Sequence, residues 1–311
     1  MPSPKPLHGS VADAQRGNWV DRYCPERLKP FARLARLDRP IGFWLLFWPC
    51  AFSLAMAAMA VPARGFNWWS LALMLIGAVA MRGAGCTLND IVDAKLDASV
   101  ARTRSRPIPA GAVTRRQAIV FLGLQLLVGL VVLCQFNLTT IGLGVLSLVL
   151  VAIYPFMKRV TWWPQLFLGL AFSWGALMGW ASETGSLALP PVLLYLGSIL
   201  WVIGYDTIYA LQDMEDDALV GIKSTARLFG DRVRLLVGLF YGGAVACWAV
   251  AGVMLGGDRA FIPLLVLPAL ILGWQVATLA PKDGDNALLR FRSNHWVGLT
   301  LSLAFFAEFV V

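Results

Sequence analysis

The chain has few charged residues and almost no histidine. Only 14% of its 311 residues are Asp, Glu, Lys or Arg, while 58% are hydrophobic and the mean hydropathy is +0.68. A typical soluble protein has about 25% charged residues. The two histidines, His8 and His295, give little support to a histidine-based zinc site or histidine-based acid–base chemistry. The composition excludes an ordinary soluble domain and predicts a protein that crosses a membrane several times.

The sequence also lacks disulfide-type cysteine spacing and a recognisable signal pattern. The five cysteines are scattered singly along the chain, a pattern typical of small packing residues. The first 40 residues are polar and contain no cleavable signal pattern. We expect residues 1–40 to form a cytoplasmic and interfacial segment, with a short surface helix near residues 30–40. Residues 41–311 are expected to form one transmembrane domain.

Long apolar segments dominate the rest of the chain. A helix needs about 20 apolar residues to cross the hydrocarbon core of a bilayer. Segments of roughly this length can be drawn at residues 41–61, 67–88, 117–136, 138–155, 165–182, 190–212, 234–256, 260–280 and 294–311. Prolines at positions 155 and 164 blur the ends of the fourth and fifth segments. The predicted fold is therefore all-α, with nine transmembrane helices.

The basic residues indicate an orientation. If the N-terminus is cytoplasmic, 23 of the 26 Lys and Arg residues lie on the cytoplasmic side. The exceptions are Arg64 and Arg259 in loops on the opposite side and Arg82 within the second segment. This distribution follows the positive-inside rule. The net charge of +8 thus reflects topology and contact with anionic lipid, and the loops are too short to form a nucleic-acid-binding domain.

Acidic residues are concentrated in two short stretches at the cytoplasmic ends of apolar segments. The first has a spacing of i, i+3, i+7, which puts Asp90, Asp93 and Asp97 on one helical face. The second extends this spacing to i+11, with Asp206, Tyr209, Asp213 and Asp217. Carboxylates beside a membrane are costly to desolvate, and oxygen ligands of this kind suit Mg²⁺. We expect the two stripes to face each other across a cavity.

Each acidic stretch is followed by a basic loop. Arg102, Arg104 and Arg106 follow the first stretch, and Lys223 and Arg227 follow the second. Carboxylates alone would repel a diphosphate, but carboxylates that hold Mg²⁺ beside arginine forks would bind one. The alternative interpretation is that these basic residues only set the topology. Recurrence of the same order in both halves of the chain favours a binding role.

Four motifs carry a resemblance to a known family. NDxxDxxxD and RTxxRPxxxG occupy residues 89–97 and 102–111, while YDTxYAxxDxxxD and GIKSTAxxFG occupy residues 205–217 and 221–230. They resemble the motifs of the intramembrane aromatic prenyltransferases, and most of all those of the bacterial members that prenylate 4-hydroxybenzoate in ubiquinone synthesis. Further matches begin at Arg36, Arg82 and Tyr154, so the resemblance runs from about residue 33 to the end of the chain.

The resemblance implies an activity and a setting. The implied reaction is the Mg²⁺-dependent transfer of a polyprenyl group, expected to be octaprenyl, from polyprenyl diphosphate to the ring carbon ortho to the hydroxyl of 4-hydroxybenzoate. The implied fold has a central cavity that is capped on the cytoplasmic side and open sideways to membrane lipid. We expect the bacterial inner membrane as the location and predict no nucleic-acid partner, and the resemblance implies no known protein partner.

The resemblance also implies residue roles. The metal ligands would be Asn89, Asp93, Asp213 and Asp217, with Asp90 and Asp97 in support. The diphosphate contacts would be Arg102, Arg106, Lys158, Arg159 and Lys223. The benzoate carboxylate would meet Arg36 or Arg39. From the chemistry of an allylic cation we expect aromatic ring faces near it, with Tyr154, Tyr205 and Tyr209 as candidates, although membrane aromatics more often serve packing.

Two alternatives remain open at this point. The acceptor could be a different ring, of the homogentisate or porphyrin type. The protein could instead be a divalent-cation or proton-coupled transporter, which would place its binding site near the bilayer midplane on interrupted helices. Because both acidic stripes lie at cytoplasmic helix ends before basic loops, the enzyme is the favoured hypothesis.

Overall fold

The computed structural model describes residues 17–99, 103–214 and 221–311, apart from the side chains of Ser99 and Asp213. These residues form α-helices and short 3₁₀ turns, with no β-strand among them. The helices are α1 (Trp19–Tyr23), α2 (Lys29–Leu34), α3 (Ile41–Ala60), α4 (Trp68–Ser99), α5 (Arg115–Leu133), α6 (Leu138–Val160), α7 (Pro164–Phe172), α8 (Gly175–Thr184), α9 (Leu189–Ala210), α10 (Thr225–Phe229), α11 (Val233–Val253), α12 (Phe261–Thr278) and α13 (Gly284–Val310).

The predicted all-α, multi-span membrane fold is confirmed. Each predicted apolar segment is helical in the part of the chain described, and seven spans are long and apolar enough to cross a membrane: α3, α4, α5, α6, α9, α12 and the continuous stretch Thr225–Val253. The predicted fifth segment is divided into α7 and α8, and the ninth is the second half of α13. The predicted count of nine helices is compatible with this arrangement.

Helix α4 is longer than the predicted apolar segment at residues 67–88. Its 32 residues correspond to about 48 Å at 1.5 Å per residue, well beyond the ~30 Å of bilayer hydrocarbon. The helix therefore continues through the whole first acidic stretch. The acidic residues 90–97 lie on its last turns, on the same rigid element as the apolar segment before them.

The chain divides into two compact units. One comprises Met1–Trp44 and Leu75–Leu133, and the other comprises Leu45–Met74 and Cys134–Val311. In the first unit, residues Leu34, Ile91, Val113 and Ala118 form a buried apolar cluster that joins α2, α4 and the start of α5. In the second unit, α9 packs against α7, α8, α11 and α13. The expected division of the chain at residue 40 stays a prediction.

Close helix packing in the second unit depends on small residues. A Cβ atom on Gly179 of α8 would lie 2.7 Å from the carbonyl oxygen of Cys50 and 2.8 Å from Cβ of Ser53. One turn earlier, a Cβ on Gly175 would lie 2.5 Å from the Cys50 sulfur. Ser53 Oγ donates to the carbonyl oxygen of Ala176 between them. Small residues four positions apart allow two membrane helices to approach closely. Gly175 and Gly179 therefore allow α8 to pack directly against α3.

Candidate functional site

The first acidic stripe lies buried on α4. Asp90 and Asp93 are fully buried, Asp97 is 5% exposed, and Asn89 is half-buried. Lys95, on the other side of the helix, is exposed. The three carboxylates therefore lie on the covered face of α4, as their spacing predicts. A buried carboxylate is costly unless it is paired or coordinates a metal ion.

Two arginines pair with Asp90. The Arg36 guanidinium donates to Asp90 Oδ1 at 2.6 Å, and Arg106 Nη1 approaches the same oxygen at 3.4 Å. Arg106 Nη1 also donates to Asp97 Oδ2 at 2.8 Å. Asp90 Oδ2 is buried and has no hydrogen-bond partner among the described residues. Asp90 and Asp97 thus serve as counter-ions for two arginines from different segments.

Arg36 has an unusual backbone conformation. Its φ is +59°, and the other described residues with positive φ are all glycines. A bulky residue in the left-handed region is strained, and such strain persists only where the surroundings enforce it. Here Arg36 Nη1 donates to the carbonyl oxygen of Arg33 at 3.0 Å while the guanidinium reaches Asp90. The turn between α2 and α3 thus aims Arg36 at α4.

Arg39 is the other residue expected to contact the benzoate substrate, and it also pairs with a carboxylate of the protein itself. Its Nε and Nη2 donate to the two oxygens of Asp38 at 3.3 Å and 3.0 Å. Asp38 is 3% exposed. Asp38 is not predicted as a site residue, because a single acidic residue between two arginines gives no spacing signal in the sequence. The expected role of Arg36 or Arg39 in binding the benzoate carboxylate remains a prediction.

The loop after the first stripe folds back onto α4. Thr103 Oγ1 donates to the carbonyl oxygen of Asp97 at 3.0 Å, and the Arg106 backbone N–H donates to Thr103 O at 2.9 Å. These bonds bring Arg106, nine residues beyond Asp97, onto the acidic face. Arg102 lies outside the described residues. Another basic residue of α4, Arg82, packs closely against Gly42. A Cβ atom added to Gly42 would lie 2.5 Å from Arg82 Nε.

The second motif is described only in part. Tyr205 is buried, Asp206 is half-buried, and the Tyr209 ring centroid is 4.6 Å from that of Phe291. Asp217 and the side chain of Asp213 lie outside the described residues. Among the side chains that are described, no group of three or more His, Cys, Asp or Glu residues is arranged to hold a metal ion. The predicted second metal pair, and a cavity shared by both stripes, remain predictions.

Two predicted diphosphate contacts meet at the end of α6. The Lys223 backbone N–H donates to the carbonyl oxygen of Lys158 at 3.0 Å, and Lys223 Nζ donates to Val160 O at 3.1 Å. The last carbonyl groups of a helix lack partners within the helix, and here the basic loop supplies them. On the same helix Tyr154 is half-buried and Arg159 is exposed. The structure therefore brings Lys158 and Lys223 together, although they are far apart in the sequence.

Comparison with known proteins gives consistent matches over most of the chain. The model of the UbiA prenyltransferase family matches residues 46–299. The mitochondrial 4-hydroxybenzoate polyprenyltransferase of Arabidopsis thaliana is 46% identical over 285 residues, which cover 91% of this chain and 70% of that protein. The 4-hydroxybenzoate geranyltransferase 1 of Lithospermum erythrorhizon is 42% identical over 290 residues, covering 90% of this chain and 91% of that protein.

Solved structures show the same fold. A UbiA homolog from Aeropyrum pernix K1 has a TM-score of 0.71 at 23% identity and covers 85% of this chain and 97% of its own. A UbiA homolog from Archaeoglobus fulgidus bound to GPP and Mg²⁺ has a TM-score of 0.68 at 18% identity and covers 91% of this chain and 100% of its own. At these identities the likeness concerns the fold alone.

Proposed function

Because the chain belongs to the UbiA prenyltransferase family, we propose that it transfers a polyprenyl group from polyprenyl diphosphate to the ring carbon ortho to the hydroxyl of 4-hydroxybenzoate. The observation that carries the proposal is the row of buried aspartates on α4, two of which pair with arginines. The chain is also 42–46% identical to relatives named for this acceptor. The relatives share 4-hydroxybenzoate but differ in the prenyl group. The acceptor is therefore the better supported substrate, and octaprenyl diphosphate as donor rests on the sequence resemblance.

We propose Mg²⁺ as the cofactor. The first motif offers an amide oxygen from Asn89 and a carboxylate from Asp93, the oxygen ligands that Mg²⁺ prefers. Asp213 and Asp217 would hold a second ion. Asp90 and Asp97 already pair with arginines, which suits the supporting role expected for them. When bound, Mg²⁺ would stabilise the negative charge that develops as the diphosphate leaves.

The basic side chains would share that charge. Arg106 is well placed because it is anchored on the acidic face, and its buried Nε has no hydrogen-bond partner among the described residues. Lys158 and Lys223 lie together at the end of α6. Such groups accelerate a reaction by stabilising charge where it develops in the transition state. Arg102 and Arg159 complete the proposed set.

The allylic cation needs protection from water. Tyr154 would offer its ring face to the cation, and a dry cavity open to lipid would present the cation to the electron-rich ring carbon. The departing diphosphate or a nearby carboxylate would accept the ring proton. We also propose that the protein lies in a bacterial inner membrane, a location that rests on the sequence resemblance. The distribution of basic residues supports an orientation with the N-terminus and the active-site mouth on the cytoplasmic side.

A direct assay tests the proposed function. Purified protein in detergent is incubated with Mg²⁺, labelled polyprenyl diphosphates of several lengths and a panel of acceptors that includes 4-hydroxybenzoate, homogentisate and a porphyrin. We expect prenylated 4-hydroxybenzoate as the main product, with turnover lost when Mg²⁺ is chelated. Preferential prenylation of another ring, or no turnover with any donor, would contradict the proposal.

A further inference from the structure

Three buried polar side chains join the second basic loop to two helices. Gln165 of α7 is 4% exposed, and Thr207 of α9 and Thr225 of α10 are fully buried. Gln165 Oε1 accepts a hydrogen bond from the Thr225 backbone N–H at 3.0 Å. The hydroxyl oxygens of Thr207 and Thr225 are 2.6 Å apart. All three residues belong to the second unit of the chain.

The protons in this chain of hydrogen bonds can be assigned. Thr207 Oγ1 donates to the carbonyl oxygen of Ile203, one turn earlier on α9, at 2.6 Å. A hydroxyl has a single proton, so Thr207 must accept from Thr225. Thr225 therefore donates its N–H to Gln165 and its O–H to Thr207. Since a buried donor that loses its partner is costly, more so in a membrane protein, the arrangement fixes Thr225 against both α7 and α9.

The residue held in place by this arrangement is Lys223. It lies two positions before Thr225, and its own backbone N–H is bound to the carbonyl oxygen of Lys158 at 3.0 Å. Between them Ser224 caps α10 through its side chain, which accepts from the Arg227 N–H. The basic loop is thus fixed at the backbone of Lys223 itself and at Thr225, two residues later. From this fixed backbone the Lys223 ammonium reaches the end of α6, where it donates to the carbonyl oxygen of Val160 at 3.1 Å.

We propose that Gln165, Thr207 and Thr225 are positioning residues that hold Lys223 beside Lys158 for the diphosphate of the prenyl donor. The proposal rests on the proposed function, because it assumes that these two lysines bind that diphosphate. The three residues are uncharged and buried, and we expect them to act through Lys223. A group displaced by about 1 Å can cost a large factor in binding or rate, which gives the arrangement a measurable consequence.

Variants of the full chain in detergent test the proposal. Thr225→Val keeps the side-chain shape but removes the hydroxyl, Gln165→Met removes the acceptor, and Thr225→Ser keeps the hydroxyl. Ser198→Ala is the matched control: Ser198 is also fully buried on α9, and its Oγ donates to Leu194 O of its own helix at 2.8 Å. Calorimetry would measure binding of geranyl diphosphate with Mg²⁺, and initial rates would give KM for donor and acceptor.

We expect Thr225→Val and Gln165→Met to weaken geranyl diphosphate binding about tenfold and to raise the donor KM similarly. The acceptor KM should not change, and Thr225→Ser and Ser198→Ala should resemble the wild type. Should Thr225→Val fail to fold, Thr207→Val removes the same hydrogen bond from α9. Unchanged geranyl diphosphate binding in both hydroxyl-deleting variants and in Gln165→Met would overturn the proposal, as would an equal rise in donor and acceptor KM.

These outcomes are distinguishable from a failure of the proposed function. A wild type that binds geranyl diphosphate but does not prenylate 4-hydroxybenzoate would contradict the function, while weaker binding by Thr225→Val would still support the positioning role. A wild type that prenylates 4-hydroxybenzoate, with Thr225→Val binding the donor equally well, would overturn the positioning role and leave the function intact.

Discussion

The guanidinium of Arg36 donates to Asp90 Oδ1 at 2.6 Å, although 54 positions separate the two residues in the chain. The contact joins the turn before α3 to the acidic face of α4 and places two opposite charges in a buried site. It also agrees with the supporting role expected for Asp90 in the motif. Asp90 neutralises arginines in this structure, while Asp93, one turn further along α4, remains a proposed metal ligand.

The first prediction concerns this ion pair. Arg36→Ala should destabilise the protein by about 3 kcal/mol, because it leaves the Asp90 carboxylate buried without its closest partner. Adding Asp90→Asn should recover part of this loss, since the uncompensated charge is then removed. Thermal unfolding of both single variants and the double variant in detergent would measure the coupling. Strictly additive effects would show that the two side chains do not interact.

The second prediction compares two arginines of one loop. Arg106 is half-buried on the acidic face, while Arg104 is exposed. Arg106→Gln should raise the KM for polyprenyl diphosphate or lower kcat, by about tenfold for a lost charge-assisted contact, with little change in the acceptor KM. Arg104→Gln should have a much smaller effect. Equal effects of the two substitutions in steady-state kinetics would indicate that only the net charge of the loop matters.

The third prediction concerns the contact between α8 and α3. Gly179→Ala should destabilise the fold by about 1–3 kcal/mol, the usual range for overpacking a core, because the added Cβ would lie 2.7 Å from the Cys50 carbonyl oxygen. Gly273→Ala on α12 is the control, since a Cβ there would meet nothing within 4 Å. Melting temperatures in detergent would compare them. A Gly179→Ala protein as stable as the control would show that α8 packs less closely on α3.

The fourth prediction tests the orientation in the membrane. Single cysteines replace Ala110, Asp231 or Ser186, all of which are exposed, in an otherwise cysteine-free protein. Residues 110 and 231 follow the two aspartate motifs and should react with a membrane-impermeant reagent from the cytoplasmic side. Residue 186 should react from the opposite side. If residues 110 and 231 were labelled from opposite sides, the two motifs could not share one cytoplasmic mouth.

The membrane class, the helical segments and the shared face of the three α4 carboxylates could be predicted from the sequence, because these follow from local hydropathy and helical spacing. It could not give the partner of Asp90, which depends on the left-handed backbone at Arg36. Nor could it show the break between α7 and α8, since residues 165–182 contain no proline and no charged residue. The contact between Lys158 and Lys223 depends on a backbone hydrogen bond, which the residue types do not indicate.

Metal-assisted prenyl transfer is tested most directly by the rate at which an Asp93→Ala protein forms 3-polyprenyl-4-hydroxybenzoate. Asp93 is fully buried on the acidic face and is a proposed Mg²⁺ ligand, whereas Asp258 is exposed and serves as the control. With saturating Mg²⁺ we expect Asp93→Ala to fold normally and to lose at least about 10²-fold in rate, while Asp258→Ala retains wild-type activity. A folded Asp93→Ala protein with near-normal turnover would contradict the metal-assisted prenyl transfer proposed here.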